Sequence, residues 1–306
     1  MRKRLVIVVL MLSVDGFPAQ LRGQFSDPRT YDNSPVGVNQ VELDYAFAHS
    51  DTSIDNSLIV AGAKLHLNQG SINYTHYFGF LHRMGWAEAS LPIAGLGGSI
   101  TGTDISGSTT GTGDSEYQVA LLLRGGPALS VAQFAQFKPT STVGVSLSVT
   151  APTGQYDPTK VLNLGSDRWS FKPEFAYSLP FGTGQRWELN AYGNIYFYTD
   201  NTSYRGTEIL RQQALPGFEG HISYSFKDNV WASLDTRYSF RGDTFLNGVS
   251  QNDGQQNFLL GAEISMSLNP RNTLIVEVGK ALAHVNGPSV GGFGVKYDYT
   301  WGDGTK

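Results

Sequence analysis

No cysteine occurs in the 306 residues. That excludes disulfide scaffolds, thiolate zinc sites, iron–sulfur clusters and thiol nucleophiles, and it leaves oxidising and reducing compartments both open. Charge is scarce too: Asp, Glu, Lys and Arg make up 16% of residues, and a formal net charge of -4 gives no basic footprint for nucleic acid. Methionine is rare at 4 residues, and past residue 14 no apolar run approaches the ~20 residues of a membrane-spanning helix. A helical membrane protein is therefore excluded. Disorder is excluded as well, since 40% of residues are hydrophobic and 12% aromatic. Glycine (36), phenylalanine (17) and tyrosine (15) are plentiful by contrast, a composition of many short strands and turns.

Arg2, Lys3 and Arg4 precede the apolar run "LVIVVLMLSV" (5–14), which has the length of a secretion signal and is too short to span a bilayer. Residues 1–19 read as that signal, cleaved after Ala19 in "GFPAQ" or after Gly23, although Phe17 stands where a small residue is usual. Residues 20–34, "QLRGQFSDPRTYDNS", then form an N-terminal periplasmic segment, too short for a plug domain but able to reach into a lumen.

From residue 35 to 301 a period of two keeps returning. "QVELDYAF" (40–47) sets Val41, Leu43, Tyr45 and Phe47 against Gln40, Glu42 and Asp44. "TVGVSLSVT" (142–150), "RWSFKPEFAYS" (168–178), "FEGHISYSF" (218–226) and "GGFGVKYDYTW" (291–301) alternate in the same way. Similar stretches near 70–78, 86–94, 116–124, 187–198, 230–240, 257–268 and 273–280 bring the total to about twelve strands. The joins alternate between mostly short ones, such as "FKDN" (226–229) and "NPRN" (269–272), and long polar ones, such as 95–115, 199–215 and 241–256. An up-and-down antiparallel β-barrel of the outer-membrane kind has this parity. One join on the short side is long, 125–141, and its Leu129, Val131, Phe134 and Phe137 predict a short helix.

The polar rows carry too many charges for a dry core, so the apolar rows face lipid and the polar rows a lumen. Lumen-lining candidates are Lys172, Glu174, Glu188, Glu219, His221, Asp235, Arg237, Glu263, Glu277, Lys296 and Asp298. Membrane-interface aromatics are Tyr45, Trp86, Trp169, Trp187, Tyr224, Tyr238 and Trp301. The strand ending at Trp301 closes the barrel against the strand that begins near Gln40, leaving residues 302–306 as a tail.

Three stretches, "PVGVNQVELDYAFAHSDTSID" (35–55), "TAPTGQYDPTKVLNLGSDRWSFKPEFAYS" (150–178) and "GHISYSFKDNVWASLDTRY" (220–238), resemble the outer-membrane transporters named after the meta-cleavage pathway of phenol degradation. The middle one is the most specific, with "APTGQYDP" and "NLGSDRWSFKPE" at their spacing. The resemblance extends over nearly all of the mature chain. It implies an outer-membrane barrel that helps aromatic or hydrophobic compounds cross, and it brings no catalytic residues.

Ser170, Lys172 and Glu174, with Arg168 just before them, face acidic and basic groups such as Glu188, Asp235 and Arg237 on other strands. The row is either a charge-lined constriction or a paired network that stiffens and closes the barrel. Pro173 lacks a ladder N–H and predicts a bulge, with a lateral gap for hydrophobic cargo as its functional reading. His49, His66, His76, His82 and His284 show no metal spacing, so no metal site is expected. Asp51, Asp55, Asp104, Asp114 and Asp157 in outer loops are either weak cation ligands or solvated carboxylates. His221 and Ser223, two residues apart on one strand, do not make a nucleophile and base, so no enzyme is expected, and no cofactor. The sequence therefore predicts a bacterial outer-membrane channel for passive or facilitated uptake of small, aromatic or hydrophobic compounds, the alternative being a non-transport structural or surface-interaction barrel. Its expected partners are outer-membrane lipid, a small-molecule cargo and, during biogenesis, the barrel-assembly machinery.

Overall fold

A computed structural model describes residues 26–50, 63–100, 106–160, 162–286 and 289–302. The signal, the tail beyond Gly302 and Asp51, Asp55 and Asp104 lie outside the described residues. In chain order the strands are β1 (Val38–Ser50), β2 (Ala63–Phe80), β3 (Arg83–Ile100), β4 (Ser106–Thr112), β5 (Ser115–Arg124), β6 (Thr142–Ala151), β7 (Ser170–Phe181), β8 (Trp187–Tyr198), β9 (Asn201–Tyr204), β10 (Glu208–Gln212), β11 (Leu215–Lys227), β12 (Val230–Arg241), β13 (Thr244–Leu246), β14 (Val249–Ser250), β15 (Gln255–Asn269), β16 (Asn272–Val285) and β17 (Val290–Gly302).

The wall runs β2-β1-β17-β16-β15-β12-β11-β8-β7-β6-β5-β3, and β3 pairs back onto β2, so the sheet has no free edge. β4 continues β5 along β3, which pairs through Ile93–Ser99 with the one and through Gly85–Ser90 with the other. Counted with that break, the barrel has twelve antiparallel strands. Its seam joins β1 to β17 from Val38↔Gly302 to Ser50↔Val290, as the aromatic ladder before Trp301 predicts.

One end is built from tight turns. Leu81 and His82 both have positive φ, 48° and 63°, the left-handed pair that a two-residue hairpin requires. The long join on this side holds the expected short helix, α1 (Val131–Phe134), whose Ser130 and Gln133 form a capping box. At the other end two of the long polar joins pair into a separate sheet, β14-β13-β10-β9.

Side-chain alternation decides which solvent each residue meets. Leu43, Ile72, Leu91, Phe175, Phe218 and Leu234 point outward, while Asp44, Asn73, Glu174, Glu219 and Asp235 are buried inside. A continuous apolar exterior around a charged interior is a membrane barrel, not a soluble one. Tyr45, Trp169, Trp187 and Tyr238 stand exposed on the outside. Tyr224 and Trp301 are half-buried there, Tyr224 against Trp187 and Trp301 against Tyr74.

Two expectations are corrected. Trp86 is not an interface aromatic: it is 3% exposed and lies inside the barrel. It shares strand parity with Glu88, which places both on the inner face. Nor does Pro173 make a bulge. β6 pairs through it in continuous register, Leu147↔Pro173, and the ladder to β8 resumes at Glu174↔Asn194 in the register of Phe171↔Phe197. One missing N–H is absorbed without a slip, and a lateral gap loses its structural motive.

If Leu91 faces hydrocarbon, Leu91→Arg costs about 2–4 kcal/mol in reversible urea unfolding from lipid vesicles. A cost near zero would place that face in water.

Candidate functional site

The lumen is not empty. Ser26 to Val36 turn back from the start of β1 into the barrel. Val36 N donates to Leu129 O and Gly37 N to Tyr77 O, fixing the segment at the tight-turn end. Higher up, Asp32 N donates to Arg29 O and folds the chain into a compact turn. The segment expected on the periplasmic side thus has its described part against the inner wall.

Tyr31 is its anchor, with no exposed surface. The ring meets Trp86 edge-on with centroids 5.2 Å apart and Tyr192 at 5.2 Å. Its hydroxyl lies 2.8 Å from Glu174 Oε1 and 2.7 Å from Ser146 Oγ. Burial, reinforced by Glu174, pushes the phenol far above its ordinary pKa, so it stays a donor to that carboxylate. Gly144 makes the niche, because a Cβ there would stand 2.3 Å from the ring's Cδ1.

Around this anchor the segment answers the charges of the wall. Lys296, fully buried, lies 2.7 Å from Asp27 Oδ2, 2.8 Å from Glu277 and 3.7 Å from Glu263. Those three carboxylates are close enough together to ligate a cation, and the Lys296 ammonium takes that place. Arg237 reaches Asp27 at 4.0 Å. Ser26 N donates to Glu219 Oε2 at 2.8 Å and Ser26 Oγ to Glu174 at 2.6 Å, while Asn194 donates to both carboxylates. Arg29 donates to Ser223 and Ser225, stands 3.9 Å from Glu188 and lies over the Trp231 ring.

All the lumen candidates lie on the inner face, buried or half-buried. They gather as Lys172–Glu174, as Glu219–His221–Asp235 and as Glu263–Glu277–Lys296. Glu188 turns to Arg29 rather than to Lys172. Asp298 shares the inner face of β17 with Lys296.

The half nearer the long joins differs in character. Arg168 is 5% exposed, lies over the Tyr198 ring and donates to Gln212. In the same half Ala48, Leu65, Leu67, Ala94 and Leu96 form an apolar patch on the inner wall, closed by Leu164 from the 152–169 join. That join is pinned by Asp114, which accepts from Gly154 N and from both Ser166 N and Ser166 Oγ. Asp157 accepts from Thr159 N and Oγ, which holds its carboxyl below the usual range. Both aspartates are thus spent on loop structure.

The sequence reading missed Asp27, Arg29 and Tyr31, which lie in a stretch with no periodicity. It also missed the apolar patch, whose signal was present: Leu65, Leu67, Ala94 and Leu96 share the inward parity of Gln69 and Ser71 or of Glu88.

The family described as "Putative MetA-pathway of phenol degradation" matches residues 35–297. The chain belongs to this family. Among solved structures, an outer membrane channel from Pseudomonas putida F1 superposes with a TM-score of 0.77 at 23% identity, covering 90% of this chain and 100% of that one. The transport unit of the autotransporter AIDA-I from Escherichia coli gives 0.53 at 8% identity, over 90% of this chain and 93% of that one. The β domain of the Bordetella autotransporter BrkA gives 0.52 at 12%, over 86% and 99%. These likenesses carry the barrel fold. No curated protein matches the sequence.

Two outcomes test the segment's docking. Gly144→Val expels Tyr31 from its niche, and a nitroxide on Ser34→Cys, the sole cysteine of that variant, becomes mobile by electron paramagnetic resonance; an unchanged spectrum contradicts the packing. The second concerns pH. Burial, helped by Glu188 and opposed by Arg29, raises the Asp32 pKa well above the usual carboxylate range. The docked segment therefore holds a proton that the freed one releases. The contribution of Asp32 to docking is complete below the ordinary Asp pKa, ~3.9, and is lost as pH rises through the raised value. The Ser34 label gains mobility over that rise, and Asp32→Asn flattens the response.

Proposed function

We propose that this barrel is a channel of the bacterial outer membrane for passive uptake of small aromatic or hydrophobic compounds. The observation that carries the reading is the apolar patch of Leu65, Leu67, Ala94 and Leu96 inside a largely polar lumen. An inward leucine surface in a membrane barrel serves no lipid contact; Leu164 covers it, and once that join yields it offers a cargo what the polar wall cannot. The family's name and the P. putida channel support the same reading. Tyr31, Trp86 and Tyr192 below the patch give an aromatic solute further faces once the segment yields.

The closed lower lumen favours a second reading, a non-transport barrel acting through its outer loops, because Ser26 to Tyr31 fill the space that a permanent pore would need. Single-channel conductance and liposome swelling with the refolded full chain separate the two, using phenols, benzoates and sugars of matched size. Small, solute-dependent permeation that favours aromatics is expected. Leu67→Gln lowers it roughly 3–10-fold, the effect of about 1 kcal/mol of lost apolar contact. An insulating barrel toward every solute overturns the channel.

A further inference from the structure

Outside the barrel, at the long-join end, the lipid-facing rows of β1, β2 and β3 change from apolar to polar over a few positions. On β1 the outward residue after Phe47 is His49. On β2, Ile72 gives way through Gly70 and Asn68 to His66 and Lys64, and on β3 Ile93 gives way to Gly95, Gly97 and Ser99. Pairing sets these side by side: His49↔His66, His66↔Gly97 and Gly97↔Ser108, with Lys64↔Ser99 and Ser99↔Ser106 one step further out. Paired antiparallel residues point to the same side, so all of them face away from the lumen.

The result is an open cleft of about 600 Å³ with a floor of Gly97, Gly98 and Gly107 and a rim of His49, Lys64, His66 and serine hydroxyls. At Gly97 a Cβ would stand 2.5 Å from His66 Nε2, so any larger residue there would push the imidazole aside. Lys64 and His66 are exposed and make no hydrogen bond or ion pair with the described residues. Lys280 stands in the same row through Lys280↔Gly291 and His49↔Gly291, two strands away and so roughly 10 Å from His49. Among the described residues no carboxylate lines this cleft. Ammonium, imidazole N–H and hydroxyl groups around a glycine floor form a donor set for a phosphate monoester. Their height, directly beyond the apolar band, is where headgroups begin.

We propose that this cleft binds the phosphate of a phosphorylated lipid headgroup in the outer leaflet, held by Lys64 with His66 and the serines of β3 and β4. The inference rests on the outer-membrane reading proposed above, which sets the long joins outside.

Native mass spectrometry of the full-length barrel in detergent tests it, with diphosphoryl lipid A, dephosphorylated lipid A and inorganic phosphate as probes. Diphosphoryl lipid A is retained at least about tenfold more strongly than the dephosphorylated form, near the energy of one charge-assisted contact. The exposed double variant Lys64→Gln, His66→Gln loses that preference, and Gly97→Ala weakens it by lifting the imidazole. Lys227→Gln, at the tight-turn end, leaves it intact. Heat-modifiable gel mobility confirms that each variant is folded. Equal retention of the two lipids, an unchanged double variant, or retention of inorganic phosphate but not of lipid A overturns the proposal. The channel reading is tested separately by permeation, so either can fail alone: a permeating barrel indifferent to lipid phosphate sinks only this site.

Discussion

Everything in this structure depends on closing one antiparallel ladder. In hydrocarbon an unpaired strand edge is prohibitive, so β1 must meet β17, and closure then forces every second side chain into a confined lumen. Charges there are neither in bulk water nor in a dry core. Each needs a partner, and the wall supplies only some of them. Lys296 has Glu263 and Glu277, yet its shortest contact is with Asp27. Glu219 and Glu174 receive Ser26, and Glu188 receives Arg29. The N-terminal segment is thus the missing fraction of the wall's hydrogen-bonding and charge complement, and barrel and segment are one electrostatic unit.

The parts that the sequence made legible are those governed by period two. Lys296 and Asp298 between Phe293, Val295, Tyr297 and Tyr299 show their inward face without coordinates, and so does the seam they build with β1. Trp86 was misplaced because residue type outweighed parity: tryptophan belongs to girdles in general, but this one alternates in step with Glu88. Pro173 was misread for a similar reason, since a local rule about donors was extended to register, which the pairs on either side of it already fix.

The docked segment was illegible on different grounds. "SDPRTYDNSP" has no periodicity, and the contacts that anchor it to the wall are tertiary: Tyr31 with Gly144, Asp27 with Lys296, Arg29 with Ser223. A glycine in a strand announces close approach without naming what approaches. The apolar patch lay between these cases. Its residues obey the period, but leucines on an inward row look like ordinary strand residues until the pairing of β1, β2 and β3 puts them together with Leu164.

The manner in which the segment is held bears on whether it can leave. An insertion seated in a dry apolar core would be costly to withdraw, because withdrawal opens a cavity and exposes the apolar surface on both sides. Here one aromatic ring sits in such a niche, and the remaining contacts are hydrogen bonds and ion pairs. Water entering a vacated lumen replaces those at a net cost of roughly 0.5–1.5 kcal/mol each for neutral pairs. Lys296 would keep Glu277 and Glu263 when Asp27 departs, and Glu219 would keep Asn194 and His221. Glu188 loses Arg29 and keeps the Asn190 amide, with entering water to complete its shell. A polar lumen therefore allows what a core would forbid, a closure specified by many contacts and yet reversible, with Tyr31 in its glycine niche as the one contact that must be broken outright.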